Sequence, residues 1–193
     1  MLKQLFLQIY QLIINPAKAW EELAPQRETT NNEAFNTGYF YPAVGVIALC
    51  AFAGAGWTDG FETFRIGLQV ALKTVIREAV AYFGGLFLAA WLIKYSAQKM
   101  FGIQLELALC QRFTGYSSAM IYAVACLICL FDSLFFAKIF TLYTFYTVWQ
   151  GSNNYLALKE DVAVKFTLLS GFIILASPFA ISYLMGLAMP GIK

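Results

Sequence analysis

"FTLLSGFIILASPFAISYLMGLAMPGI", residues Phe166 to Ile192, contains no Asp, Glu, Lys or Arg. A helix needs roughly 20 apolar residues to cross a hydrocarbon core about 30 Å thick, so this stretch is long enough for one crossing. The same absence of charge recurs in Ala34 to Thr58, Ala79 to Ile93, Phe113 to Phe131 and Ile139 to Leu158. Of the 193 residues, 60% are hydrophobic and 12% charged, about half the roughly 25% of soluble domains. These features predict an all-α, polytopic transmembrane helical bundle with about five membrane-spanning helices. Spans are expected near residues 39–57, 72–93, 113–131, 139–158 and 166–189, making 34–193 the membrane domain. The second is completed by extending Ala79 to Ile93 back through Leu72, Val75 and Ile76, which leaves Lys73, Arg77 and Glu78 near the interface.

Residues 1–33 read differently. Leu2, Leu5, Phe6, Ile9, Leu12 and Ile13 recur at helical spacing, opposite Lys3, Gln4, Gln8 and Gln11. This is an amphipathic helix too polar to span, suited to the membrane interface or to packing on the bundle. The glutamines and the lack of a small-residue cleavage site argue against a secretory signal. Asn15 and Pro16 break the pattern, because the residue before proline avoids the α region while proline suits the first turn of a new helix. In that second helix, Ala17, Trp20 and Ala24 share one side, and Trp20 is expected at the headgroups. Lys18 and Glu22 are spaced to pair. Residues 25–38 are polar and turn-rich, as in a solvated linker.

Within the spans, Tyr39, Tyr41 and Trp57 are expected as interfacial aromatics. Ala81, Gly85 and Ala89 form a small-residue row that permits close helix approach. Arg65, Gln69, Lys73 and Arg77 form a polar stripe on the juxtamembrane part of the second helix, and 94–112 is expected to be a loop. Residues 132–138 are a short connection that makes its flanking spans antiparallel neighbours. Pro178 should kink the last helix and free the carbonyl of Ile174, with Ser170 or Ser177 in partial compensation.

The composition also excludes chemistry. There is no histidine, so histidine general-base catalysis and histidine metal sites are out, and no acidic residue lies deep within an expected span. Glu78 and Asp132 are the acids nearest to one. The C-x-x-C spacing of Cys126 and Cys129 falls in an apolar segment without acidic neighbours, which reads as packing. There is no phosphate-binding glycine loop, and a net charge of +2 gives no basic domain for nucleic acid. No catalytic, cofactor or metal residues are assigned, and the protein is expected not to be an enzyme.

Two segments then carry a resemblance. "NPAKAWEEL" with Pro16 and Trp20, and "LYTFYTVWQGSNNYLALKED" with its aromatic helix, Gly151 and charged turn, are similar to the YIP1 family. "GYSSAMIY", residues 115–122, resembles the family's third-helix entry, although Ala119 and Met120 stand where a proline is common. The resemblance implies five crossings, a cytoplasmic amino end and an external carboxyl end. It marks Pro16, Trp20, Tyr143, Tyr146 and Gly151 as candidate interaction or anchor residues. Charge agrees: Lys3, Lys18, Arg27, Lys94, Lys99, Arg112, Lys159 and Lys165 fall on one side, against Arg65, Lys73, Arg77, Lys138 and Lys193 on the other, which places the amino side inside. The long amino-terminal region of the eukaryotic relatives is missing, so their GTPase association is not carried over.

The expected function is that of a scaffold or adaptor in a bacterial cytoplasmic membrane. It would organise lipids, and membrane or cytoplasmic proteins through the amino-terminal segment, with no nucleic-acid partner. The alternative is a small-solute transporter or channel whose polar path uses Thr141, Thr144, Thr147 and the Pro178 break.

Overall fold

The computed structural model describes residues 2–27, 31–58 and 64–188, with side chains 56–58, 64–67 and 188 outside that description. Trp57 and Arg65 therefore lie outside the described side chains. All regular structure among the described residues is helical.

Helix α1, Leu2–Ile14, ends where Asn15 leaves the helical region and caps α2, Pro16–Leu23. The Asn15 side chain accepts from the Lys18 amide at 3.3 Å, satisfying one of the orphan donors of a helix start. A 3₁₀ turn, Ala24–Arg27, follows. Helix α3, Asn32–Phe35, then passes through a π-helical turn, Asn36–Phe40, into α4, Tyr41–Thr58. Phe35, Tyr39 and Phe40 are all buried. Tyr39 therefore does not sit at the headgroups as its position at a span end suggests; Tyr41, beside it, is exposed.

Helix α5, Phe64–Phe101, is about 57 Å long at 1.5 Å per residue, well beyond one bilayer core. It continues through residues 94–101 of the stretch expected to be a loop. Gly102 stops it with φ +67°, a conformation that favours glycine. Helix α6, Leu107–Ser117, already contains Arg112, and α7, Ala119–Leu130, is bent from it by 49°. The bend needs no proline: Ser118, at φ −82° and ψ 4°, donates its hydroxyl to the Thr114 carbonyl at 2.8 Å.

A 3₁₀ segment, Asp132–Tyr143, carries the chain back to α8, Thr144–Asn154, and α9, Glu160–Ala188, completes the bundle. Among the described residues three helical stretches are long and apolar enough to cross a membrane, Asn32–Ala55, Leu68–Phe101 and Glu160–Leu187, and a fourth if the bent α6–α7 pair is one span. The pass expected at 139–158 is instead divided between the 3₁₀ segment and α8, with Phe135, Phe136, Ile139 and Phe140 exposed.

The exterior identifies the solvent. Leu49 and Phe52 on α4, Ile76 and Trp91 on α5, and Leu168, Phe172 and Phe179 on α9 all face outward, an apolar surface that water would penalise and lipid does not. Small residues set the internal contacts. Ala81 and Ala89 are buried, and a Cβ on Gly85 would lie 3.0 Å from the backbone of Pro178, so α9 seats its proline in the row expected to admit a neighbouring helix. Ser177 donates to the Ile173 carbonyl at 2.7 Å rather than to that of Ile174.

Candidate functional site

The two ends of the bundle hold different arrangements. At the amino-terminal end, α2 lies across α8. Trp20 is fully buried, and its indole Nε1–H donates to the Thr147 carbonyl at 2.9 Å. Its ring meets those of Phe113 at 5.7 Å, Tyr116 at 6.0 Å and Tyr155 at 5.1 Å between centroids. Gly151 makes this possible, since a Cβ there would fall 2.8 Å from two indole carbons and 2.9 Å from Phe113. Buried aromatic clusters of this kind combine large apolar burial with defined ring geometry.

Hydrogen bonds extend the seam. The Tyr143 hydroxyl donates to the Ile13 carbonyl at 2.8 Å, satisfying an orphan acceptor at the end of α1. The Asn154 amide reaches the Ala17 carbonyl at 3.5 Å. Arg27 donates to the Tyr155 carbonyl at 3.2 Å, while the buried Arg112 donates to the Arg27 carbonyl at 2.9 Å. Asn32 donates to the Gln111 side chain, tying α3 to α6.

At the opposite end, α4, α5, α7, the 3₁₀ segment and α9 enclose a cleft of about 490 Å³. Its polar lining includes Arg77, Glu78, Asp132, Lys138, Thr141 and Ser182, and its apolar lining includes Ala81, Ile121, Ala125 and Leu175. The Arg77 guanidinium pairs with the Glu78 carboxylate at 3.0 Å. Asp132 and Lys138 are exposed, and among the described residues neither side chain has a partner. No group of three acidic or cysteine residues lies close enough to hold a metal ion among the described residues.

The Yip1 domain family model matches residues 10–189. The chain belongs to the Yip1 family. No curated protein and no solved structure matches it.

Both ends of this Yip1 domain thus lie inside the matched region. Of the candidate anchor residues, Pro16, Trp20, Tyr143 and Gly151 meet along one α1–α2–α8 seam, with Pro16 buried. Tyr146 remains exposed, its ring 5.4 Å from that of Tyr143. Trp20 is not at the headgroups: its ring is fully buried and its indole N–H is bonded to an α8 carbonyl inside the fold. The threonines separate. Thr144 and Thr147 are buried, and the Thr147 carbonyl accepts from the indole, whereas Thr141 and Pro178 line the cleft. The gathering of Arg77 and Glu78 with Asp132 and Lys138 had no signal in the sequence beyond their charge. They lie on separate elements, and only tertiary packing joins them.

Proposed function

We propose that this Yip1 membrane protein is a non-enzymatic organiser of lipids and partner proteins, with α1 as its fixed contact surface. One observation carries this reading: α1 has three faces. Leu5 and Leu12 pack on the bundle; Leu2, Phe6, Tyr10 and Ile14 are apolar and exposed, with the long side chain of Lys3 between Tyr10 and Ile14 able to reach its ammonium back to water; Gln4 and Gln11 are polar and exposed. At about 100° per residue these sets occupy successive sectors of the helix. A helix lying in the membrane interface beside a bundle needs one face for protein, one for lipid and one for water. The α2–α8 seam holds it in that attitude.

The absence of histidine supports a non-enzymatic role. A bacterial cytoplasmic membrane with the amino end inside is the location proposed. Its support is the excess of basic residues on the amino-terminal side, among them Arg27, which donates to the Tyr155 carbonyl, and the buried Arg112, which donates to the Arg27 carbonyl. Nucleic acid is not among the proposed partners.

Photocrosslinking in native membranes tests the reading. A photoreactive residue at Tyr10 should yield lipid adducts, and one at Gln4 or Gln11 should yield protein adducts. Lipid adducts alone from all three positions would remove the partner-organising role, and no adducts from any would remove the contact surface altogether.

A further inference from the structure

The cleft at the far end is chemically graded. Among the described residues its mouth, marked by the exposed Asp132 and Lys138, gathers two cations, Arg77 and Lys138, and two anions, Glu78 and Asp132, whose formal charges cancel. Its interior is small and apolar, at Ala81, Ala125 and Leu175. Arg77 and Glu78 also stand immediately before the charge-free run from Ala79 to Ile93, which puts the mouth at the boundary between headgroup and hydrocarbon. Charged side chains at that boundary are within reach of lipid headgroups. Here two of them, Asp132 and Lys138, have no partner among the described residues, and the volume lies in the range of small-ligand sites, about 300–1,000 Å³.

A ligand matching this lining has a balanced pair of opposite charges at one end and an apolar body at the other. We propose that the cleft binds a zwitterionic phospholipid of the ethanolamine type. Its phosphate lies against Lys138 and Arg77, its primary ammonium faces Asp132 and Glu78, and an acyl chain rests on the apolar interior. A net-anionic lipid matches the lining less well, because it would leave the site with one uncompensated negative charge beside Asp132. A choline headgroup matches less well too, since it has no N–H to donate to them. This assignment deepens the lipid side of the proposed function and rests on it.

Native mass spectrometry of the full chain, released from nanodiscs containing equal phosphatidylethanolamine and phosphatidylglycerol, tests it. The wild type should retain phosphatidylethanolamine in preference. Lys138→Gln and Asp132→Asn should each lower that retention about tenfold, the scale of one lost charged hydrogen bond. Both sites are exposed, so neither change disturbs the core. Equal retention of the two lipids, preference for phosphatidylglycerol, or indifference to both substitutions would overturn the assignment. Excess phosphoethanolamine, which lacks acyl chains, should leave the adduct in place; displacement by it would show a water-borne phosphate ligand and overturn the role of the apolar interior. If these results fail while Tyr10 still crosslinks to lipid, only the cleft assignment falls. If both fail, the lipid-organising reading falls with it.

Discussion

The seam and the cleft lie at opposite ends of one bundle and use polar groups in opposite ways. At the seam, Trp20, Tyr143, Arg27 and Arg112 each donate to a backbone carbonyl, and a glycine removes the one side chain that would hold α2 off α8. At the cleft, Asp132 and Lys138 face space without side-chain partners among the described residues. Buried polar groups that are satisfied fix a geometry, and unsatisfied ones at a cavity edge are available to a ligand. Most of the aromatic residues that look like an interaction motif are therefore packed into the fold, whereas two charged residues of the short 132–138 connection, Asp132 and Lys138, stand at the cleft without a side-chain partner among the described residues.

Substitutions can break this contrast, most severely at the seam. Trp20→Ala should cost about 3–5 kcal/mol, the usual range for deleting a large buried aromatic, measured as the shift in unfolding midpoint in a mild detergent. Gly85→Val should cost about 1–3 kcal/mol by driving α9 away from α5, read in the same assay. Tyr143→Phe should remove only the bond to Ile13, about 1 kcal/mol, and should raise amide exchange in α1 before that in α9. Lys138→Gln should leave stability within about 0.5 kcal/mol, as expected of an exposed side chain, while changing lipid retention. A stability loss at Lys138 comparable to that at Trp20 would erase the distinction between the two ends.

Local and periodic features of the fold were legible in the sequence. The Asn15–Pro16 break depends on the stereochemistry of neighbouring residues alone, and the apolar runs of α4, α5 and α9 follow from length and charge. The Ala81, Gly85 and Ala89 row announced a close helix contact, which Pro178 fills. Three features were not legible. An amphipathic tryptophan such as Trp20, or a tyrosine at a span end such as Tyr39, has the same signature whether its ring meets headgroups or a neighbouring helix. Hydropathy does not register residues per turn, so the 3₁₀ character of residues 132–143 was invisible within an apolar stretch. Arg112, read as a loop cation, is buried because the Arg27 carbonyl meets it there, a contact across 85 residues that no local pattern encodes. The cleft has the same origin, since α5 and the 3₁₀ segment must first be folded together.

Hydrogen–deuterium exchange of the unaltered protein in lipid nanodiscs tests the central claim, that α2 is built into the bundle through α8, most directly. Amides in Pro16–Leu23 should exchange as slowly as those in Thr144–Asn154, and Gly151→Leu should accelerate both together. Fast exchange across α2 beside a protected α8 would contradict the account, because it would make the amino-terminal element a free surface segment.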